Sequence, residues 1–425
     1  MVRMPHWPIP PWHTIKYDLT RISSLCQLLG NPELKFSPAI HIAGTNGKGS
    51  SLSMLRSIFE AAGYKVHAYT SPHLIEFNER IVIAGEKISD HYLFQVCEQV
   101  RIVSEANNIE PSFFEGTTAA AFLAFADVKA DILLLETGLG GRLDATNILQ
   151  QPLLTIITPI SYDHMEYLGP TLPIIAGEKA GIIKQNTPCI ISAQTDEVYQ
   201  VLLTKCAELN APSLCYEYDF GIEKTAKGFI YRSKNYNFEF PMPALLGDHQ
   251  LINAAAVIAA ISAVNQQFKI GANYIIQGLE NVKWPARIEK IEYDKYKHLA
   301  TENTRIWLDG AHNSGGAQVL VNWIKDNLYE PVYLILGMTK NRNIEDFCLY
   351  FKDIIVSGYG VRVLSEPSSY SAEILTQRAA STGIDFQSAL NLEEAIRDIS
   401  NNTSVVNIII CGSLFLAADF YKIIG

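Results

Sequence analysis

Short runs of aliphatic and β-branched residues alternate with longer segments of helical periodicity along the first half of the chain. The runs predicted to be strands read PAIHIAG, YKVHAYTS, ADILLLETG, LLTIITPI and TPCIISA. The helices predicted between and after them begin near Ser50, Ser89, Phe114, Pro170 and Thr195. Strands that alternate with helices in this way form βαβ units, so we predict a mostly parallel sheet with helices on both faces.

The pattern changes near residue 225 and later restarts. The segment GFIYRSKNYNFEF alternates polar and apolar residues and predicts an antiparallel edge, and an alanine-rich helix follows in DHQLINAAAVIAAISAVNQ. The strand and helix alternation then returns in RIWLDGAHN, PVYLILGMT, YGVRVLSE and VVNIIICGS. Between the two halves, the polar stretch around Lys295–Thr304 is the best candidate for a linker.

These patterns predict an α/β protein of two domains, because 425 residues exceed what a single hydrophobic core usually serves. We place a P-loop ATP-binding domain with a mostly parallel sheet at residues 1–298. A smaller Rossmann-like α/β domain is placed at residues 299–425. Ligands are often clamped in the cleft between two such domains.

Composition narrows the functional class. The chain is 48% hydrophobic and carries a formal net charge of −10 with no block of Lys or Arg, which argues against nucleic acid or an anionic membrane as a partner. Its apolar runs are too short for a membrane span, and the opening MVRMPHWPIPPWH lacks the apolar core of a signal peptide. Seven widely spaced cysteines without a C-x-x-C pair indicate reduced core thiols. We therefore expect a cytoplasmic protein.

The segment GTNGKGS, residues 44–50, has the features of a phosphate-binding loop. Its glycines allow backbone N–H groups to turn inward, Lys48 is able to reach the β and γ phosphates, and Ser50 opens a helix whose N-terminus favours anions. A predicted strand precedes it and a predicted helix follows, which is the context of a P-loop. The pattern departs from G-x-x-x-x-G-K-[ST] because Gly49 separates the lysine from the serine. The alternative is a glycine turn with a solvated lysine.

A P-loop works with a divalent metal, and two further strand ends supply candidate ligands. Glu136 ends one predicted buried strand, and His164 follows the next, in TPISYDHMEYLG. Both belong to the sheet edge where open α/β sheets bind ligands. Ser50, Glu136 and His164 are therefore predicted to converge on one Mg²⁺. Taken singly, a strand-end glutamate is often a helix-cap partner, and a lone histidine is more often structural.

Three further motifs offer weaker signals. From the residues alone, Lys179 in GEKAGIIK is a lysine on a helix surface. Asp309, in DGAHN, is placed to accept hydrogen bonds from a ribose, with His312 and Asn313 facing the predicted cleft; an Asx turn is an equal alternative. Arg287, in WPARIE, lies just before the linker, where it is able to contact phosphate or adenine.

Taken together, the motifs resemble those of a known family. HIAGTNGKGS, YTSPHL, FNERI, LETGLGGRLDATN, DH, EKAGI, LLGDHQLINAAAV, WPAR and LDGAHN occur in this order from about residue 40 to the last strand. The chain resembles the folylpolyglutamate synthase/dihydrofolate synthase family of the Mur ligase superfamily. The resemblance implies a Mur-ligase-type central ATPase domain followed by a C-terminal Rossmann-like domain that contributes to glutamate and nucleotide binding.

The resemblance also implies a reaction. A member of this family is an ATP-dependent ligase that joins L-glutamate to dihydropteroate, forming dihydrofolate, and to the γ-carboxylate of reduced folates. The acceptor carboxylate is first converted to an acyl phosphate, which the amine of glutamate then attacks. ATP is the co-substrate, two Mg²⁺ sites are implied, and the family suggests a monomer.

Residue roles follow from the matching motifs. For ATP the resemblance implies Gly44, Thr45, Asn46, Gly47, Lys48, Gly49, Ser50, Ser51, Asn253, Arg287 and Asp309. For metal it implies Ser50, Glu136 and His164, together with Lys179 carrying a CO₂-derived carbamate. For substrate it implies Ser71, Pro72, His73, Asp144, His312 and Ser413, with Asp144 tied to the use of dihydropteroate. The catalytic roles fall on Lys48, Lys179 and His312.

The chain departs from the family pattern at three positions. Ala286 stands in WPAR where members often have Gly, so we expect the turn that holds Arg287 to avoid a positive φ. Gly177 stands where many members carry Arg, which removes one expected phosphate or folate contact. Gly116 lies at a predicted helix start, at a small local cost.

Other functions remain open on the sequence. One alternative is an enzyme with folylpolyglutamate synthase activity only. Another is a Mur-type amino-acid ligase of cell-wall synthesis, against which we weigh the motif GRLDATN and the expected lack of a UDP-binding domain before the P-loop. A nucleotide-binding regulator without ligase chemistry is a third possibility. A nicotinamide oxidoreductase using TGLGGRL fits poorly, because that glycine fingerprint is incomplete.

Overall fold

The computed structural model describes residues 18–234, 236–340, 342–401 and 404–425. Contacts within the chain separate two compact units. The first runs through Ile160 and includes Met165–Ala244 and Gln250–Val282, and the second comprises Ser161–His164, Leu245–His249 and Lys283–Gly425. The predicted division between residues 298 and 299 falls inside the second unit and stays a prediction.

Seventeen strands are described: β1 (Ala39–Ala43), β2 (Val66–Tyr69), β3 (Ile81–Ile83), β4 (Glu86–Lys87), β5 (Ile132–Glu136), β6 (Leu154–Ile157), β7 (Cys189–Ile191), β8 (Ser213–Cys215), β9 (Phe220–Lys224), β10 (Gly228–Ser233), β11 (Tyr236–Pro241), β12 (Glu289–Lys290), β13 (Thr304–Leu308), β14 (Val332–Leu336), β15 (Ser357–Gly360), β16 (Phe386–Ser388) and β17 (Val406–Cys411).

The α-helices in the described residues are α1 (Thr20–Leu28), α2 (Lys48–Ala61), α3 (Asp90–Ala106), α4 (Phe113–Asp127), α5 (Met165–Leu168), α6 (Leu172–Ala180), α7 (Asp196–Glu208), α8 (Asp248–Ala263), α9 (Ala272–Asn281), α10 (Tyr293–Tyr296), α11 (Ser314–Asn327), α12 (Ile344–Leu349), α13 (Ala372–Ala380), α14 (Leu392–Ser400) and α15 (Leu414–Ile424). Short 3₁₀ turns lie at Pro32–Leu34, Phe77–Arg80 and Ala145–Ile148. None of the helices described here is both long and apolar enough to cross a membrane.

The first unit is built on an eight-stranded sheet in the order β4-β3-β2-β5-β1-β6-β7-β8. The six strands from β2 to β8 in this order are parallel, while β3 and β4 are antiparallel at one edge. Every residue of β1 and of β5 is buried, as expected for parallel strands covered on both faces. The predicted parallel sheet is therefore confirmed. Strand β1, which precedes the P-loop, lies in the interior of this sheet, between β5 and β6.

Helix starts follow the capping chemistry of the sequence. Ser89 caps α3 by accepting a hydrogen bond from the Tyr92 N–H. Ser112 and Glu115 form a capping box at the start of α4, so this helix begins well despite Gly116 in its first turn. The predicted starts near Ser89 and Phe114 are confirmed to within one residue.

Two smaller sheets complete the fold. The predicted antiparallel segment forms the three-stranded sheet β11-β10-β9. The second unit contains a six-stranded sheet in the order β12-β13-β17-β14-β15-β16, parallel except for β12. Of the predicted strand YGVRVLSE, only the first two residues belong to β15, which ends at Gly360; further on, the N–H of Leu364 donates to the carboxylate of Asp419.

The expectation for Ala286 is wrong, since its φ is +55°. The turn is held by hydrogen bonds on both sides of the residue. The Ala286 N–H donates to Glu289 Oε2 at 2.8 Å, and the Ala286 carbonyl accepts from the Gly310 N–H at 2.9 Å. These bonds hold Ala286 in the left-handed region although the methyl group costs about 1–2 kcal/mol there.

Ala286→Gly should therefore stabilise the protein. Glycine adopts a positive φ without strain, but it also gives the unfolded chain more conformational entropy. Because the first effect is the larger, we expect the free energy of unfolding to rise by about 0.5–1 kcal/mol. The midpoint of urea unfolding should rise with an unchanged slope. Ala311→Gly, nearby but not at a positive φ, serves as the control and should lower the midpoint. A lower midpoint in Ala286→Gly would contradict the account of this turn.

Candidate active site

The predicted P-loop lies between β1 and α2, so its expected context is confirmed. At two positions of the loop, neighbouring atoms leave no room for a side chain larger than that of glycine. A Cβ on Gly44 would lie 1.8 Å from Thr158 Oγ1, and one on Gly47 would lie 2.5 Å from Asn253 Oδ1. The N–H groups of Thr45 and Asn46 donate to the Pro159 carbonyl at 3.0 and 3.2 Å. The loop is thus fixed against the segment after β6 and against α8.

Two lysines converge on this loop. Lys48 Nζ donates to the carbonyl oxygens of Gly44 and Thr45 at 3.2 Å each. Lys179 Nζ, from α6, donates to the same Gly44 oxygen at 2.8 Å. The idea that Lys179 lies on a helix surface is wrong, because it is only 4% exposed. Burial, reinforced by the charge of Lys48, holds the pKa of Lys179 well below its usual range, so its amine is neutral at a lower pH than an ordinary lysine.

Glu136 stands beside these lysines at the end of β5. It is buried, its Oε1 lies 3.9 Å from Lys48 Nζ, and its Oε2 accepts from the Ser71 N–H at 3.3 Å. Ser50 is also buried, and its Oγ accepts from Gln250 Nε2 at 3.4 Å. A carboxylate and a hydroxyl are hard oxygen ligands, so this pair of residue types suits Mg²⁺.

The third predicted metal ligand, His164, is grouped with the second unit. Its φ is +48°, and its N–H donates to its neighbour Asp163 Oδ1 at 2.9 Å. Its Nε2 lies 3.3 Å from Arg342 Nη2. Among the residues that the structure describes, no group of three or more His, Cys, Asp or Glu side chains is arranged to hold a metal. The convergence of His164 with Ser50 and Glu136 stays a prediction.

Asp163 is the centre of a polar cluster that the sequence did not reveal. Its carboxylate accepts a hydrogen bond from Arg342 Nη1 and another from Asn313 Nδ2 at 3.2 Å, and it lies 3.5 Å from His312 Nε2. Burial lowers the pKa of Arg342 to about 10. In the sequence, Asp163 stands beside His164, and Arg342 follows soon after a predicted strand. Neither position indicates that these two residues contact each other.

Asp309 forms the Asx turn that was one of the two interpretations of DGAHN. Its Oδ1 accepts from the Ala311 N–H at 2.7 Å, which is the Asx turn, and its Oδ2 accepts from the Ile288 N–H at 2.8 Å. Burial raises the pKa of Asp309, and Arg287 opposes that shift. Arg287 itself donates to the Ala286 carbonyl at 2.7 Å. The contacts of Asp309 and Arg287 with a nucleotide stay predictions.

The residues predicted to bind the pterin end of the folate lie in the first unit, in loops that other side chains hold in place. Ser71 and Pro72 follow β2, and His73 Nδ1 accepts from Arg80 Nε at 2.9 Å. Arg80 also lies over the ring of Phe77, with 5.4 Å to the ring centre.

Asp144 has a clear structural role in the loop after β5. Its Oδ2 accepts from the N–H groups of Gly138 and Leu139 at 2.8 Å each. Its Oδ1 accepts from the N–H of Thr146 at 3.0 Å and the hydroxyl at 2.5 Å. The link between Asp144 and dihydropteroate stays a prediction, as does the glutamate role of Ser413, which caps α15.

Comparison with known proteins then decides the family. The Mur ligase middle domain family matches residues 42–261, and the family of dihydrofolate synthetase C-terminal domains matches residues 289–423. A dihydrofolate synthase/folylpolyglutamate synthase of Bacillus subtilis is 38% identical over 73% of this chain and 73% of its own length. The chain belongs to the folylpolyglutamate synthase/dihydrofolate synthase family of Mur ligases.

Solved structures of the family share the whole fold. Escherichia coli FolC in complex with DHPP and ADP has a TM-score of 0.86 at 27% identity, covering 97% of this chain and 94% of that one. A bifunctional folylpolyglutamate synthase/dihydrofolate synthase with Mn, AMPPNP and L-glutamate bound has a TM-score of 0.84 at 26% identity, covering 96% and 94%. As a member of this family, the protein is an ATP-dependent ligase that forms amide bonds and uses a divalent metal.

The Glu136 carboxylate is the group whose charge this ligase should need most directly. Glu136→Gln retains an oxygen for the Ser71 N–H but removes the negative charge of the predicted metal ligand. We expect turnover to fall by roughly 10²-fold or more, as for the loss of other groups that stabilise transition-state charge. The measurement is release of phosphate from MgATP. Glu105→Gln, the same change at an exposed glutamate on α3, should retain full activity; a wild-type rate in Glu136→Gln would exclude this metal site.

Proposed function

We propose that this ligase is bifunctional. It joins L-glutamate to dihydropteroate, forming dihydrofolate, and also adds L-glutamate to the γ-carboxylate of reduced folates. The observation that carries the proposal is the convergence of Lys48 and Lys179 on the Gly44 carbonyl beside the carboxylate of Glu136. That arrangement places the Lys48 ammonium and a carboxylate suited to a divalent metal at a P-loop, as phosphoryl transfer requires. The relatives support the substrates, since their names and bound ligands include both activities, DHPP and L-glutamate.

The reaction proceeds in two balanced steps. A carboxylate oxygen of the acceptor attacks the γ-phosphorus of ATP, the bond from that phosphorus to the bridging oxygen breaks, and ADP leaves. The amine nitrogen of L-glutamate then attacks the acyl carbon, the bond from this carbon to the phosphate oxygen breaks, and phosphate leaves as the amine loses a proton. Both steps depend on alignment and charge neutralisation rather than on a covalent protein nucleophile. Lys48 provides a positive charge for the transferred phosphoryl group.

The other predicted residues are given roles by the same proposal. Asn253, Arg287 and Asp309 contact the nucleotide together with residues 44–51 of the loop. The acceptor's pterin end is bound near Ser71, Pro72, His73 and Asp144, and L-glutamate near His312 and Ser413. The monomeric state and the cytoplasmic location remain predictions from the sequence.

Two Mg²⁺ sites are part of the proposal. The first would be held by Ser50, Glu136 and His164, and the second by Lys179 in its carbamate form. When bound, a divalent metal neutralises phosphate charge. The buried oxygens of Ser50 and Glu136 support the first assignment.

The carbamate on Lys179 is supported by the setting of its amine. Carbamate formation joins the lysine nitrogen to the carbon of CO₂ and releases a proton, so it needs a neutral amine. Lys179 is only 4% exposed, and its Nζ donates to the same carbonyl oxygen as the Lys48 ammonium. A second positive charge is unfavourable there, whereas a negative carbamate would be attracted to Lys48.

Labelled bicarbonate tests this modification. Protein incubated with ¹³C-bicarbonate should show a carbamate carbon signal by NMR that is absent from Lys179→Arg. Lys179→Ala should lose most ligase activity, while Lys184→Ala, a change at another lysine of the same unit, should retain the signal. Absence of the signal together with full activity in Lys179→Ala would refute the carbamate.

Phosphate release with separate acceptors tests the function itself. The purified protein with MgATP and L-glutamate should turn over both with dihydropteroate and with tetrahydrofolate, because the proposal gives one site two acceptors. Omission of L-glutamate is the control and should reduce sustained release to background. Turnover with tetrahydrofolate alone would limit the protein to polyglutamylation. No turnover with either would refute the proposal and favour a Mur-type substrate or a regulatory role.

A further inference from the structure

Gln250 connects α8 to the P-loop through a chain of buried hydrogen bonds. Its Oε1 accepts from Asn253 Nδ2 at 2.9 Å, and its Nε2 donates to Ser50 Oγ at 3.4 Å. Gln250 is 0% exposed, and Ser50 and Asn253 are buried with it. The side chain is therefore a buried amide, and both of these hydrogen bonds reach residues that are predicted to bind the nucleotide.

The orientation of this amide follows from its partners. The NH₂ group of Asn253 donates to Gln250 Oε1, and with its oxygen used in this way Gln250 directs its own NH₂ group towards Ser50. Asn253 is in turn held against Gly47, where an added Cβ would lie 2.5 Å from Asn253 Oδ1. The Ser50 oxygen consequently accepts from Gln250 and cannot donate its proton to it.

We propose that Gln250 is a positioning residue that orients the Ser50 hydroxyl for the metal and phosphate of the bound nucleotide. A hydroxyl has two lone pairs and one proton. The Gln250 N–H occupies one lone pair, which leaves the other for a divalent cation and the proton for a phosphate oxygen. The hydroxyl is thus oriented before the nucleotide arrives, so less ordering is required on binding. The inference rests on the proposed role of Ser50 as a metal ligand.

The alternative is that Gln250 only fills the space between α8 and α2. The two roles differ in one measurable respect. A residue that merely supports the fold affects nucleotide binding equally with and without metal. A residue that orients a metal ligand affects binding chiefly when the metal is present.

The experiment measures ADP affinity by calorimetry, once with Mg²⁺ and once with EDTA. Gln250→Met retains the length of the side chain but removes the donor to Ser50. We expect about a tenfold loss of affinity for MgADP, the size of one lost hydrogen bond, and little change for metal-free ADP. Gln277→Met, the same change at an exposed position on α9, is the matched control and should match the wild type in both conditions. Gln250→Leu repeats the test, and binding of metal-free ADP reports that each variant is folded.

A double-variant cycle tests whether Gln250 acts through Ser50. Ser50→Ala should weaken MgADP binding, and adding Gln250→Met to Ser50→Ala should cause no further loss. Equal losses with and without metal, no loss in Gln250→Met, or losses that multiply in the double variant would each overturn the inference. Unchanged MgADP affinity in Ser50→Ala would overturn both the inference and the proposed metal site, whereas a loss in Ser50→Ala alone would leave the metal site standing.

Discussion

The carbonyl oxygen of Gly44 accepts hydrogen bonds from two lysine side chains, and the nucleotide site is organised around that contact. Lys48 comes from the helix that follows the loop and Lys179 from a helix far along the sequence. Lys179 is buried and Lys48 is partly exposed, so one carbonyl dipole has to compensate a buried ammonium beside a second positive charge, which carries a large desolvation cost. The pKa of Lys179 falls as a result. The two lysines thus differ in their settings, and this difference supports the proposal of separate roles for them, Lys48 as a cation for phosphate and Lys179 as the site of a carbamate.

Two buried carboxylates, Asp144 in the first unit and Asp309 in the second, each hold the backbone of a loop. Asp144 accepts from three backbone N–H groups and one hydroxyl, and Asp309 accepts from two backbone N–H groups. Each carboxylate therefore shapes the loop in which it stands, whatever it also contacts in the substrate. Replacement of either residue would change loop geometry as well as charge, so such variants test function less cleanly than Glu136→Gln.

Much of the fold was predictable because local patterns carry it. Buried aliphatic runs marked β1, β5 and β6, and serine caps marked the helix starts. The P-loop was recognisable because glycine spacing and strand–helix context lie within a few residues of one another. The left-handed Ala286 was not predictable, because residue preference favours another conformation and only hydrogen bonds to Glu289 and Gly310 impose this one.

Within each unit, the polar contacts that the sequence did not reveal join distant segments of the chain. Asp163 meets Arg342 from another part of the chain, and no short motif joins them. The burial of Lys179 depends on how α6 packs against the loop after β1. Gln250 was discoverable in principle, since it lies three residues before Asn253 on the same helix face, but its bond to Ser50 requires the folded structure.

Transfer of oxygen from substrate to phosphate tests the central claim, that this P-loop serves to make an acyl phosphate. Dihydropteroate labelled with ¹⁸O in its carboxylate would be turned over with MgATP and L-glutamate, and the released phosphate analysed by mass spectrometry. The account predicts one ¹⁸O atom in each phosphate released and one retained in the amide product. Unlabelled phosphate accompanying formation of the amide would contradict it, because the carboxylate oxygen would never have been bonded to phosphorus.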